Sequence, residues 1–147
     1  MSLQDRLLRA SRGRVLGRLA YLALKSLGVE FPRSVQWAAP LELAHGAVGL
    51  VVHARTVIGS GVTLMPGVVL GRSDSWIPET AASASGRIVV GDRVTVGAGA
   101  KVLFKSGQEL VIAPGTIVGA NAVLLESTGA DEIWAGNPAR KVGSRSA

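Results

Sequence analysis

Two histidines, His45 and His53, are the only imidazole groups in this 147-residue sequence. An imidazole works as a general base for a hydroxyl when a neighbouring carboxylate fixes its tautomer and stabilises its protonated form. Glu30 lies fifteen residues before His45, so a coiled chain with a slightly longer repeat would return both side chains to one face. The sequence therefore predicts His45 as a base and Glu30 as its carboxylate, with an ordinary surface histidine beside a glycine turn as the alternative.

The shortage of histidine and cysteine limits the remaining chemistry. Two histidines cannot form a three-histidine zinc site within one chain. The absence of cysteine excludes disulfides, thiolate metal ligands and a cysteine nucleophile, and it suits a reducing cytoplasm. We therefore expect no metal cofactor and a cytoplasmic protein.

The elements that must position these residues are predicted by a six-residue repeat. From about Val35 onward, aliphatic residues recur at every sixth position, and most are followed four places later by a small or β-branched residue. The recurring aliphatics are Val52, Ile58, Leu64, Leu70, Val90, Val96, Val102, Ile112, Val118 and Leu124. Glycine, proline and asparagine lie between them and favour turns. Each hexad thus predicts one short strand and one corner, and three hexads close a triangular coil of an all-β, single-stranded parallel β-helix.

Residues 3–27 have a different pattern, with apolar residues at three- and four-residue steps, and this pattern predicts one helix that stops at Gly28. We expect an N-terminal helical segment over 1–28 and a β-helix domain over 29–147. The helix is expected to cap the open end of the β-helix. Contact with a membrane surface is the alternative, and both hold together if the polar side faces lipid head groups.

Two insertions interrupt the repeat, Arg72 to Gly86 and Phe104 to Glu109. A β-helix tolerates insertions at its corners, and long loops on a rigid scaffold often carry function. Both are therefore candidates for a functional site, and a solvated excursion is an equal alternative for the shorter one.

The charge distribution favours an anionic partner. The sequence has 16 Lys and Arg against 10 Asp and Glu, a formal net charge of +6. Six of the cations lie in the first 25 residues: Arg6, Arg9, Arg12, Arg14, Arg18 and Lys25. Nucleic acid is disfavoured, because no basic face carries aromatic residues for base stacking. No apolar run reaches the length of a membrane span and no secretory signal is visible, so we expect a soluble protein.

The chain resembles a known family over several of these segments. LELAHGAVGLVVHARTVIGSGVTLMPGVVLG at 41–71 resembles the serine acetyltransferase branch of the hexapeptide-repeat acyltransferases, and especially its short polysaccharide-biosynthesis O-acetyltransferases. VGDRVTVGAGAKVL at 90–103, IAPGTIVGANAVLL at 112–125 and AGNPARKVG at 135–143 continue the resemblance. It implies a left-handed β-helix, a homotrimer with active sites between subunits, and acetyl transfer from acetyl-CoA to a hydroxyl.

The resemblance also implies roles for individual residues. His45 matches the catalytic base, and Glu30 matches the position of its aspartate partner in serine acetyltransferases. His53 is expected on the acceptor side, with a structural role as an equal alternative. Corners of the CoA groove are matched by Gly71, Ala98 and Ala120. Lys101, Arg140 and Lys141 are predicted to meet the CoA phosphates, with a solvated surface role as the alternative for Lys101.

Three departures from serine acetyltransferases affect the expected acceptor. Ala44 replaces an aspartate before the base, Arg87 replaces a second histidine, and the large N-terminal helical domain is reduced to under thirty residues. We therefore expect the acceptor to be a hydroxyl of a sugar or polysaccharide precursor. Serine O-acetylation is the alternative, and a non-catalytic β-helix assembly module is the second alternative.

Overall fold

The computed structural model describes residues 1–81 and 84–145. Short strands follow one another around a prism with three faces. The first two coils contain β1 (Gln36–Trp37), β2 (Leu41–Leu43), β3 (Val51–Val52), β4 (Thr56–Ile58), β5 (Val62–Leu64) and β6 (Val69–Arg72). The next two contain β7 (Arg87–Val90), β8 (Thr95–Val96), β9 (Lys101–Phe104), β10 (Glu109–Ile112), β11 (Ile117–Val118) and β12 (Val123–Leu124). An antiparallel pair, β13 (Glu132–Gly136) and β14 (Ala139–Ser144), follows the last coil.

Strands of successive coils stack in register on each face. The first face has the order β1-β4-β7-β10, the second β2-β5-β8-β11-β13-β14, and the third β3-β6-β9-β12. All neighbours are parallel except the final pair. The predicted left-handed parallel β-helix is confirmed.

The predicted ladders form the core. All ten aliphatics of the six-residue repeat are at most 2% exposed. The small residues at the second inward position are buried as well: Val62, Val68, Val94, Ala100 and Ala122. Because each coil places the same residue type above the last, the side chains fill the prism interior as continuous columns.

One corner column matters for the site, the corner between the second and third faces. Each of its tight turns places a residue in the left-handed region: Gly49, Gly67, Gly99 and Asn121. Backbone hydrogen bonds join the turns, from Gly67 N–H to the Val48 carbonyl at 2.9 Å and from Asn121 N–H to the Ala98 carbonyl at 2.8 Å. The column is therefore a straight, rigid edge that runs along the whole prism.

The single helix predicted over 3–27 is wrong. The structure has two helices, α1 (Leu3–Ala10) and α2 (Gly17–Ser26), joined by an irregular segment. The Ser11 hydroxyl donates to the Leu8 carbonyl, and the Arg33 guanidinium donates to the carbonyls of Ser11 and Gly13. These partners satisfy backbone groups outside a helix, so the break is stable. The predicted stop at Gly28 is confirmed, since this residue has a φ of +79°.

The two helices cap the first coil, as predicted. Leu8 and Leu24 are buried in the same core as Phe31 and the β-helix ladders. Asp5 anchors α1, because its carboxylate accepts the Leu43 N–H of β2 at 3.0 Å. In the described part of the chain, no helix is both long enough and apolar enough to cross a bilayer.

Candidate active site

His45 lies in a short turn, Ala44–Ala47, between β2 and β3. Three successive residues of this turn have left-handed backbone angles, with φ of +52° at His45, +77° at Gly46 and +46° at Ala47. Ala44 and Ala47 point into the core, whereas the imidazole is exposed. Non-glycine residues adopt this conformation at a cost and often do so at functional sites. The turn therefore holds the imidazole on the surface at the first corner of the column described above.

We call this column the His45 edge: the His45 turn followed by Val48–Gly49, Pro66–Gly67, Ala98–Gly99 and Ala120–Asn121. Ala98 and Ala120 were predicted as corners of a CoA groove from resemblance alone. Both are exposed on this edge, one coil apart. The structure thus brings His45 and two predicted CoA residues to one straight line on the surface.

The structure does not bring Glu30 to His45. The Glu30 carboxylate accepts the Tyr21 hydroxyl at 2.7 Å and pairs with the Lys25 ammonium at 2.9 Å, both from α2. The hydrogen bond from Lys25, and to a smaller extent the one from Tyr21, holds the pKa of Glu30 below its usual value. No hydrogen bond joins Glu30 to His45 among the residues described. The predicted pair of Glu30 and His45 is therefore absent within this chain, because Tyr21 and Lys25 of α2 occupy the Glu30 carboxylate.

Instead, α1 supplies the nearest polar neighbours of the His45 turn. The Gln4 amide lies so close to Gly46 that a Cβ on this glycine would be 2.8 Å from its nitrogen. Asp5 holds the strand that leads into the turn. The sequence shows the Ser2 to Asp5 spacing of a helix N-terminus. Nothing in it predicts that the same carboxylate also binds Leu43.

His53 lies at the other end of β3, on the edge between the third and first faces. Its Nδ1 accepts the Arg55 N–H at 3.2 Å, and its ring meets Phe104 edge to face with centroids 5.0 Å apart. Burial, followed by Arg55, lowers the pKa of His53, while Glu79 opposes the shift. The imidazole is therefore held neutral with its proton on Nε2. His45 and His53 occupy different edges of one chain.

The longer insertion is tied down beside His53. Arg55 and Arg72 both pair with Glu79, at 2.8 and 2.9 Å. The hydrogen bond from Arg55 is the main reason that the pKa of the Glu79 carboxyl is lowered. The two insertions also contact each other, because Asp74 accepts the N–H and hydroxyl of Ser106. Between them and the third face lies a cavity of about 350 Å³, lined by Ser73, Asp74, Trp76, Leu103, Lys105 and Leu125.

The remaining predicted CoA residues lie in different surroundings. Gly71 was predicted as a corner of the CoA groove, but it lies within strand β6 opposite Leu103, on the face that leads from the His45 edge to this cavity. The Lys101 ammonium donates to the carbonyls of Gly67 at 3.1 Å and Gly99 at 2.5 Å, so it caps the edge itself. Arg140 is exposed and only loosely paired with Glu126, at 3.5 Å.

Two other cations near the site already have partners in this chain. Lys141 pairs with Glu132 at 2.9 Å. The hydrogen bond from Lys141, and to a smaller extent the one from Trp134, lowers the pKa of Glu132 to about 2. Arg87 pairs with Glu109 at 2.6 Å. Within residues 1–81 and 84–145, no cluster of three or more candidate ligands could hold a metal ion.

Serine acetyltransferases are similar to this chain in sequence and in structure. One from Helicobacter pylori is 31% identical over 124 residues, which cover 84% of this chain and 66% of the relative. A soybean serine acetyltransferase complexed with serine is 27% identical with a TM-score of 0.66, covering 95% of this chain and 53% of that one. A serine acetyltransferase solved in complex with CoA has a TM-score of 0.72 at 22% identity, covering 97% and 58% of the two chains.

The chain thus spans between half and two thirds of these relatives' lengths. No family model matches the sequence. The prediction of a sugar or polysaccharide acceptor is wrong, because these relatives are serine acetyltransferases and therefore favour the serine alternative. The similarity over most of the chain and the shared coil architecture show that it belongs to the serine acetyltransferase-like hexapeptide-repeat acyltransferases.

Proposed function

We propose that this protein transfers an acetyl group from acetyl-CoA to the hydroxyl of serine, with His45 as the general base. The observation that carries the proposal is the His45 edge. A strained turn holds an exposed imidazole at the start of the corner column that also presents Ala98 and Ala120. A base and an acyl carrier on one rigid line are what direct transfer requires.

In the proposed reaction the His45 imidazole removes the proton of the serine hydroxyl as the oxygen attacks the thioester carbonyl. A backbone amide stabilises the oxyanion of the tetrahedral intermediate. The C–S bond then breaks, and the leaving thiolate takes the proton back from the imidazolium. The products are O-acetylserine and free CoA, and no covalent enzyme intermediate forms.

A homotrimer supports this chemistry better than a monomer. His45 and the cluster of His53 with the longer insertion lie on different edges of one chain. They can share one site only if the edge of one subunit meets another edge of its neighbour. We therefore propose active sites between subunits, with His53 and the 350 Å³ cavity contributed from across the contact. The use of acetyl-CoA and the absence of cysteine from the sequence support a cytoplasmic location.

CoA would lie along the His45 edge and the third face, past Gly71. Arg140 is the best placed of the predicted phosphate-binding cations, because its guanidinium is exposed and a single nitrogen, Nη1, makes both of its contacts, with the Ala139 carbonyl at 2.9 Å and with Glu126 at 3.5 Å. Lys101 and Lys141 would first have to leave the backbone carbonyls and Glu132. Their contribution to CoA binding is therefore expected to be smaller than that of Arg140.

The test is release of free CoA from acetyl-CoA with L-serine, measured for the wild type and His45→Asn. Asparagine tolerates left-handed angles, so it removes the base and leaves the turn intact. We expect a loss of about 10² to 10⁴ in kcat with unchanged CoA affinity. Arg93→Asn is the matched control, since Arg93 also has a left-handed φ, of +57°, but on another edge. A wild type that neither binds CoA nor acetylates serine would refute the proposal.

A further inference from the structure

One flank of α2 leaves apolar side chains in solvent. The inner side of the helix, Gly17, Ala20 and Leu24, is buried against the rest of the protein. Leu16, Leu19 and Leu22 follow one another at three-residue steps and are 64%, 64% and 57% exposed, and the preceding Val15 is 89% exposed. We call these four residues the α2 outer face. A continuous exposed apolar row of this kind indicates a contact surface.

Exposed cations lie in the same N-terminal segment, and Arg14 and Arg18 are next to this face in sequence. The guanidinium groups of Arg6, Arg9, Arg14 and Arg18 make no hydrogen bond or ion pair within the part of the chain that the structure describes. The only acid before Glu30 is Asp5, and it is buried and bound to Ser2 and Leu43. The N-terminal segment therefore presents positive charge without compensation. Arg12 is different, because its guanidinium stacks on Trp37 and donates to the Trp37 carbonyl.

We propose that the α2 outer face binds the surface of a membrane that contains anionic lipids. Leucine side chains of a surface helix enter the boundary between head groups and acyl chains, and arginines meet lipid phosphates. Charge complementarity decides between a lipid surface and a second copy of the chain. Two copies joined through this face would bring four unpaired arginines together, Arg14 and Arg18 of each copy, whereas an anionic surface neutralises them.

The proposal is independent of the acetyl-transfer reaction. The buried side of the helices caps the first coil whether or not a membrane is present, so binding needs no unfolding of the cap. The His45 edge starts at the end of the prism that the helices cap, since α1 lies against the His45 turn. Binding would therefore hold the enzyme at a membrane surface with its first coil nearest the lipid.

The experiment is co-sedimentation of the full chain with vesicles of phosphatidylcholine alone and of phosphatidylcholine mixed with phosphatidylglycerol, at low and high salt. We expect binding to the anionic vesicles that weakens with salt. The pair Arg14→Gln and Arg18→Gln is expected to weaken binding about 30-fold. Leu19→Ser and Leu22→Ser are expected to weaken it about tenfold each.

Matched controls separate this surface from general charge and hydrophobicity. Val142→Ser removes a residue of equal exposure, 64%, and Arg93→Gln removes an exposed cation on another edge. Neither is expected to change vesicle binding. No binding of the wild type, or equal losses in the controls, would overturn the proposal. The α2 outer face would instead be a subunit contact if the wild type bound no vesicles and Leu19→Ser formed a smaller oligomer than the wild type in light scattering. That result would also overturn the proposal.

Discussion

Asp5 gives the sharpest prediction, because one buried carboxylate joins the capping helix α1 to the strand before the His45 turn. Its side chain accepts the Leu43 N–H at 3.0 Å and the Ser2 N–H at 2.7 Å, and the residue is 7% exposed. Leaving a buried N–H without an acceptor costs about 1–3 kcal/mol, and loss of the helix N-terminal bonds costs about 1 kcal/mol more. Asp5→Ala is therefore expected to lower the free energy of unfolding by about 2–4 kcal/mol at pH 7.

The pH dependence gives a second, independent signature of the same contact. Burial raises the pKa of Asp5, but the bonds from Leu43 and Ser2 outweigh it, and the pKa lies below its ordinary value. A carboxyl with a lowered pKa stabilises the fold above its unfolded pKa, and the effect is lost as pH falls through the folded pKa. The difference between wild type and Asp5→Ala should therefore be full at pH 7 and shrink below about pH 4.

Urea unfolding at matched protein concentration measures this difference, since assembly makes stability depend on concentration. Ser2→Ala is the control, because it removes the helix cap and keeps the bond to Leu43. It is expected to cost only about 1 kcal/mol. Because α1 lies against the His45 turn, Asp5→Ala should also lower kcat. A loss below about 0.5 kcal/mol, the typical range of surface substitutions, would refute the reasoning.

Three further predictions follow from the site. His53→Asn should flatten the fall in stability as the pH drops below about 6.5, because the lowered pKa of His53 makes acid favour the unfolded state; an unchanged slope in urea unfolding would count against it. Gly71→Ala should fold normally, since a Cβ there is at ordinary contact distance, 3.4 Å, from its nearest neighbour, but should raise KM for acetyl-CoA at constant kcat; an unchanged KM would remove Gly71 from the groove. Glu132→Gln should speed hydrogen exchange in β14 by releasing Lys141, and equal protection would show that the pair is dispensable.

The repeat made the architecture predictable. Leu64 and Val96 are inward for the same local reason, their place in a six-residue period, and each coil copies the last. The break between α1 and α2 had no comparable signal. It depends on Arg33, more than twenty residues away from the carbonyl of Ser11, and a helical pattern in sequence does not reveal such a partner.

The places of the candidate site residues on the prism could be predicted, but their contacts could not. The resemblance located His45 and the corners at Ala98 and Ala120, which depend on the repeat. The resemblance did not predict the hydrogen bond from Tyr21 to Glu30, because that bond depends on how α2 packs over the first coil. The acceptor was inferred wrongly from isolated departures such as Ala44. That residue is buried in the structure, at 9% exposure.

We propose that one edge of the prism carries both the base and the acyl carrier. A crystal structure of the full chain with CoA would show where the acyl carrier lies relative to His45. We predict that CoA lies along Ala98 and Ala120 with its sulfur close enough to His45 for one serine hydroxyl to bridge them. CoA bound along another edge, with its sulfur far from His45 of every subunit, would contradict the account.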